Sequence, residues 1–378
     1  MIYPQKENCC GCGICAESCP VQAIKMEPDE DGFFYPIVNR SICINCSKCE
    51  KVCAFNSLDN ATEPLEYYVA RHKSDAVCRN STSGGMYTAI TDVFLNQGNV
   101  VYSPAFDQRM YLQHMRICNA AERDISRGSK YVQSDLYHSL SSILADLNES
   151  KKVVFFGTPC QVAAIKSFVP KRLHANLFTV DVICNGVGSP MFWEKHKNEI
   201  EKKYKGRMNN YVFRPKKQGY LTQTEVAIFD KIGEREIVSD YFRYNVIYYS
   251  RLIMRPCCAN CKFCSYKRVS DITISDYSKE ERKDLPFDTS DGVSSLMINT
   301  EKGRNLLSLF EESIQYVSVS PNCIAQIRLE QCEELNPKHD EFLRICREKG
   351  IESALNSYFG IFKRIKIKLK EIYNRMVL

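Results

Sequence analysis

Eight cysteines in the first 53 residues fall into two runs of one spacing. Cys9, Cys12, Cys15 and Cys19 are followed by Pro20, and Cys43, Cys46, Cys49 and Cys53 by Ala54. Both runs read C-x2-C-x2-C-x3-C. Gaps of two residues let three thiolates from one tight loop reach three iron corners of a [4Fe–4S] cube. Such a loop is too short to wrap to the fourth corner, so that ligand comes from the other run. One cluster is therefore expected on Cys9, Cys12, Cys15 and Cys53, and a second on Cys43, Cys46, Cys49 and Cys19. Pro20 turns the chain and is expected to start a short helix at Val21–Ile24. Ala54 changes the turn after the second run but not its ligands. The chemistry this set could do is single-electron transfer. C-x2-C pairs also suit structural zinc, but zinc ribbons lack the third C-x2-C step and its C-x3-C-P extension.

The rest of the chain must position this relay. Its 378 residues are enough for two or three domains. Residues 1–60 read as one compact module of bacterial ferredoxin type, with the polar stretch Leu58–Pro64 as a linker. Beyond it, apolar runs at Tyr67–Ala70, Asn99–Ser103, Lys152–Phe156, Leu177–Cys184, Asp271–Ser275 and Val293–Asn299 read as strands. Met86–Leu95, Leu136–Leu147 and Pro159–Phe168 read as helices. The fold class expected is α+β, a dicluster module followed by a mixed α/β body. Of the 20 cysteines, the two runs use eight. The opening MIYPQKENCC has no apolar h-region, so a thiol-rich chain in a reducing cytoplasm is expected rather than a disulfide scaffold. No stretch approaches the roughly 18–20 apolar residues of a membrane span. The net charge of +6, from 51 basic and 45 acidic residues, is modest and dispersed, and no nucleic-acid partner is expected.

The body carries further thiols. Gly157-Thr158-Pro159-Cys160-Gln161 follows a strand and opens a helix. Pro159 suits the first turn, and Cys160 falls at the helix N-terminus, where the dipole favours a thiolate. Cys184 ends the next apolar strand and is followed by Asn185-Gly186. Cys258, Cys261 and Cys264 repeat the two-residue gap after Arg255-Pro256-Cys257. Together these offer enough thiolates for a third cluster, although a cysteine at a strand end is more often packing. Ser83-Gly84-Gly85 precedes the helix at Met86, and free N–H groups there could face a phosphate. An ordinary capped turn reads the same way. Arg79, Lys130, Arg214 and Lys216 are candidate anion partners. Neither GxGxxG after a strand nor GxxxxGK[ST] occurs. The six histidines (His72, His114, His138, His174, His196, His339) lie outside every motif.

These stretches resemble the family of coenzyme F-420 hydrogenase/dehydrogenase beta subunits, with a dicluster ferredoxin domain in front. The resemblance rests on Arg79 with Ser81–Gly85, Gly128-Ser129-Lys130-Tyr131-Val132-Gln133-Ser134, Gly157–Gln161, Cys184–Val187, Phe213–Lys216, and Arg255–Cys261 leading into Arg268–Ile274. It implies a region like the N-terminal part of those proteins (65–148) and one like their C-terminal part (149–345). It also implies a flavin, FAD or FMN, and a third [4Fe–4S] cluster. Carried over residue by residue, Cys160, Cys184, Cys258 and Cys261 become the ligands of that cluster, with Cys257 and Cys264 as substitutes. Arg79, Ser83, Gly84, Gly85, Lys130, Arg214 and Asp276 become the flavin-site candidates. Two departures stand out. Cys-His-Gly is Cys184-Asn185-Gly186 here, and Gly-Asp-Phe-Trp-Gly is Ser275-Asp276-Tyr277-Ser278-Lys279.

The expected function is an iron–sulfur flavoprotein oxidoreductase passing electrons from the module to the flavin and an unidentified substrate. The resemblance adds surface-polysaccharide synthesis as a setting and a protein or small-molecule redox partner. The alternative is a non-catalytic electron-transfer subunit. At 355–378, Ile361, Ile365, Leu369, Ile372 and Met376 form one apolar stripe among lysines. A basic amphipathic helix there could dock on the body or touch an anionic membrane surface.

Overall fold

The computed structural model describes residues 5–55, 61–216, 224–237, 243–277 and 284–360. Part of the expected linker and the whole C-terminal stripe therefore lie outside the described residues, as do Ser278 and Lys279. In chain order the strands are β1 (Ile24–Pro28) and β2 (Phe34–Val38), then β3 (Glu66–His72), β4 (Val100–Phe106), β5 (Leu112–Ile117), β6 (Val153–Gly157) and β7 (Leu177–Val182). There follow β8 (Met208–Val212), β9 (Glu225–Phe229) and β10 (Gly233–Ile237), and finally β11 (Ile272–Tyr277), β12 (Val293–Ile298) and β13 (Ile314–Ser318).

β1 and β2 form the hairpin of the N-terminal module. The expected helix at Val21–Ile24 is not formed. Gln22 adopts φ 52°, outside the right-handed helical region, and Ile24 already pairs with Val38 in the hairpin. Eight strands build the body sheet in the order β13-β3-β12-β11-β7-β6-β4-β5. The four inner strands β11, β7, β6 and β4 run parallel, and β3, β5, β12 and β13 join antiparallel. The segments before and after residue 148 thus share one sheet. β8, β9 and β10 make a separate antiparallel sheet.

The inner strands are apolar on both faces, as parallel strands under two layers must be. Val153 and Phe155 point into one layer with Val162, Ile165, Leu140 and Ile143. Val154 and Phe156 point into the other, with Met86, Ile90, Phe94, Leu306 and Phe310. Helices Met86–Leu95, Pro159–Phe168 and Glu301–Phe310 supply these covers. The small sheet closes over an aromatic core of Phe192, Trp193, Tyr211, Phe213 and Tyr244.

The module is welded to this body. Cys10, Ile14 and Phe55 belong to the same apolar layer as Phe155 and Val162. Phe55 meets Phe263 edge-on at 6.0 Å, and Lys262 Nζ donates to the Phe55 carbonyl at 2.7 Å. Ser167 Oγ donates to the Val52 carbonyl at 2.7 Å, and Ser189 Oγ to that of Asp31 at 2.7 Å. Arg347 pairs with Asp31. No helix among the described residues is long and apolar enough to cross a membrane.

Candidate iron–sulfur and cofactor site

The carboxyl ends of parallel strands are where open α/β sheets bind ligands, and both cavities of interest lie there. The loop after β6 supplies Thr158 and Cys160, and the chain after β7 supplies Cys184. The helix Pro159–Phe168 starts as its sequence dictates. Pro159 takes the first turn, and Thr158 N–H donates to Gln161 Oε1 at 3.0 Å in a capping box. Thr158 Oγ1 lies 3.1 Å from Cys160 Sγ.

The smaller cavity, about 40 Å³, is lined by Cys10, Cys160, Cys184, Cys257, Cys258, Cys261 and Cys264, with Arg251, Arg255 and Arg328. All four cysteines expected as third-cluster ligands thus line one chamber, together with the two substitutes. The contact with Cys10, burial and nearby thiols push the Cys160 thiol up. Burial and neighbouring thiols push Cys184 up. A hydrogen bond from Cys264 brings Cys261 down to about 7.

Arg255 is fully buried. Its guanidinium donates to the Cys9 carbonyl at 2.7 Å, to Gln133 Oε1 at 2.7 Å and to the Phe34 carbonyl at 2.9 Å. It lies over the Tyr35 ring at 4.3 Å. No carboxylate among the described residues forms an ion pair with it. A buried cation demands a compensating anion, and besides the Tyr35 phenol the ionisable groups within its electrostatic reach are the thiols of Cys9, Cys257 and Cys10. Thiolates carrying an iron–sulfur cube would supply that charge, so the residues fit the group. In the module, Cys15 sits within electrostatic reach of Cys9, Cys53 and Cys49, and Cys49 of Cys46 and Cys19. Of these, Cys15 with Cys53 and Cys49 with Cys19 cross between the two runs, as interleaved ligation requires. Among the described residues no three His, Cys, Asp or Glu side chains converge on a single-ion site. A cube spreads its thiolates over separate iron corners.

The larger cavity, about 320 Å³, falls within the range of small-molecule sites. Ser81, Thr82, Ser83, Gly85, Arg127, Ser129 and Lys130 line one part, and Tyr131, Tyr248, Tyr249, Arg214 and Asp276 another. Tyr131 packs on Tyr248 at 4.5 Å and on Tyr249 at 5.8 Å. Thr158, Cys184, Asn185, Gly186 and Val187 line both cavities.

The expected flavin-site residues divide. Ser83, Gly85, Lys130, Arg214 and Asp276 line the larger cavity. Arg79 does not; its side chain is 60% exposed and lies 3.7 Å from Asp291. Gly84 is packed against the sheet, where a Cβ would come within 2.5 Å of the Ala70 carbonyl and 2.8 Å of Ser294 N. Gly85 takes φ 88° ahead of helix Met86–Leu95. Lys130 donates to the carbonyls of Ser126, Arg127 and Gly128 at 2.7, 2.9 and 3.1 Å, and burial lowers its pKa to about 7. Lys216 holds the carbonyls of Cys78, Ser83 and Asp291. Both lysines brace the Ser81–Gly85 and Gly128 loops from behind. Arg214 pairs with Asp276. Asn185, at the first departure from the family pattern, receives Arg328 Nε on its amide oxygen at 2.7 Å. Sequence reading assigned no role to Cys10, Arg251, Arg255, Arg328 or the three tyrosines. Of these, Arg255, beside the Cys257–Cys264 run, and Tyr131, within the Gly128–Ser134 stretch, lay in motifs there.

Two family models match this chain. Residues 150–322 match that of the coenzyme F420 hydrogenase/dehydrogenase beta subunit, at its C terminus, and residues 8–57 match the 4Fe-4S dicluster domain. The chain is related to the F420 hydrogenase/dehydrogenase beta subunits over residues 150–322 and carries an N-terminal 4Fe–4S dicluster domain. It is an iron–sulfur electron-transfer protein related to those subunits. The F subunit of the F(420)H(2) dehydrogenase of Methanosarcina mazei is 20% identical over 374 residues, spanning 93% of this chain and 96% of that protein. A trichloroethene reductive dehalogenase of Dehalococcoides mccartyi is 42% identical over 64 residues, 15% of this chain and 12% of that protein. Among solved structures, the F420-reducing [NiFe] hydrogenase complex from Methanosarcina barkeri, studied by xenon derivatization, covers 80% of this chain and 96% of its own. It does so at 15% identity and a TM-score of 0.46.

Proposed function

We propose that this chain is the flavin-bearing electron-transfer subunit of a redox enzyme, joining one-electron relay to two-electron chemistry on a small substrate. Cys9, Cys12, Cys15 and Cys53 would hold one cluster, and Cys43, Cys46, Cys49 and Cys19 a second. Cys160, Cys184, Cys258 and Cys261 would hold a third. The observation that carries the reading is the wall shared by the two cavities: Cys184 and Asn185–Val187 border the thiol-lined chamber on one side and the larger chamber on the other.

FAD or FMN suits the larger chamber. The hydroxyls of Thr82 and Ser129 suit a phosphate, while those of Ser81 and Ser83 donate to the Val77 and Val293 carbonyls and shape the loop; Tyr131, Tyr248 and Tyr249 offer faces for a planar ring. Bound there, a flavin would supply the conversion between single electrons and a hydride. The protein's share is to bind and orient. Lys130 and Lys216 fix the loops that shape the chamber, and Tyr248 OH, donating to the Gly186 carbonyl at 2.9 Å, fixes the shared wall. Arg214 and Asp276 place one charge of each sign at the rim, suited to orienting a polar substrate. The electron source is a protein partner, in keeping with a relative that is named as one part of a dehydrogenase. A sugar or polyprenyl-linked intermediate of surface-polysaccharide synthesis is the substrate class proposed.

Anaerobic purification with iron, sulfide and flavin measured per chain tests this. About 12 iron atoms, at four per cube, with one flavin is the expected result. About eight iron atoms and no flavin would instead identify a simple carrier.

A further inference from the structure

Cys10 is the one cysteine of the module that neither run uses, yet it is placed where module and body meet. It is buried, at 8% exposure, and lines the thiol chamber of the body. Its side chain packs in one cluster with Cys12 and Cys160, and Cys160 lines the same chamber. The first is a proposed ligand of the module's first cluster and the second of the body cluster. The surrounding backbone is pinned. Gln133 Nε2 donates to the Cys10 carbonyl at 2.9 Å, Arg255 Nε donates to that of Cys9 at 2.7 Å, and Gln133 and Arg255 are themselves joined at 2.7 Å. Gly11 has φ +71°, and a Cβ there would lie 2.7 Å from Arg255 Nη1. The loop thus has little freedom to take Cys10 elsewhere.

We infer that the Cys10 side chain is a non-ligand bridge that carries the electron between the module and the body, spanning the gap between Cys12 and Cys160. This deepens the proposed function and rests on its third cluster. Electronic coupling decays less steeply through contacting atoms than across a void, and sulfur is large and polarizable. Contacts to cluster sulfurs also set reduction potentials. The step is one electron: the module's first cluster is oxidised by one, the body cluster is reduced by one, and Cys10 makes and breaks no bond. It acts through its neighbours as a positioning residue.

The full-length holoprotein, prepared anaerobically, tests the inference with Cys10→Ala and Cys10→Ser. The readouts are iron per chain, spin–spin splitting between reduced clusters by electron paramagnetic resonance, and the rate of body-cluster reduction after mixing with dithionite. Cys10→Ala should keep the wild-type iron content, lose the splitting and slow body-cluster reduction by about tenfold or more. Cys10→Ser, which keeps a bridging atom and a hydrogen bond donor, should restore part of both. Wild-type splitting and rate in an iron-replete Cys10→Ala would overturn the bridge alone. A loss of about four iron atoms would also overturn it, by making Cys10 a ligand. Wild-type protein with only about eight iron atoms would sink the three-cluster reading itself, a result separate from the other two.

Discussion

Cys184 separates the ligand assignment from its alternatives. Cys184→Ser should remove about four iron atoms per chain and leave the signals of the module's clusters in place. Cys257→Ser should leave the iron content unchanged, because Cys257 is proposed as a spare. Iron analysis beside paramagnetic resonance spectra checks both. Glu225 poses a different question. It is fully buried and receives Tyr211 OH and the N–H groups of Tyr244 and Asn245. Burial raises its pKa to about 7. A raised folded-state pKa stabilises fully below the unfolded value near 4.5, and the contribution is lost as pH climbs through about 7. Glu225→Gln should flatten the stability profile over that window by on the order of 3 kcal/mol, read by denaturant titration at several pH values. The sequence made the thiols legible because spacing encodes ligation. It did not show that Lys130 would spend its charge on three carbonyls, or that Arg79 would face solvent. Those outcomes depend on where a loop folds back, which local pattern does not record.

The elements were legible where periodicity was strong. Met86–Leu95 and Pro159–Phe168 form as read, and the buried runs became β3, β4, β6, β7, β11 and β12. The helix expected at Val21–Ile24 failed because pairing of β1 with β2 outweighed a local proline signal. Strand order was not legible, since it is fixed by packing between distant segments. Two contacts between elements can be tested. Arg255→Met would leave the carbonyls of Cys9 and Phe34 without their donor, at about 1–3 kcal/mol for each buried acceptor. Amide exchange at residues 9–15 and 33–35 should quicken, with β6 and β7 unchanged. Arg255→Lys should not rescue it, because an ammonium cannot fork across two elements. Gly84→Ala would place a methyl against backbone on both sides, so β3 and β12 must part. A loss of about 1–3 kcal/mol and weaker flavin retention are expected from thermal melting and flavin release.

At the scale of the molecule, module and body share one apolar layer, which the two cysteine runs and the polar segment after them did not foretell. The sequence reads as a module on a linker because its boundaries are compositional. The structure joins the two through Cys10, Ile14 and Phe55, side chains with no motif of their own. A chain beginning after residue 60 should therefore expose Tyr137, Phe263 and Cys257 and bind the dye ANS where the full-length protein does not. Size-exclusion chromatography of the truncated chain should show aggregates.

Cys46 is exposed, and Ile42 and Ile44 beside it stand 47% and 60% exposed. The thiol chamber of the body, by contrast, is lined by the buried Arg255 and Phe263. Under the proposed ligation, dissolved oxygen reaches the second cluster first and the deepest one last. Inactivation in air then proceeds from the outside inward, and a briefly aerated sample keeps its inner charge store after its outer terminal has corroded away.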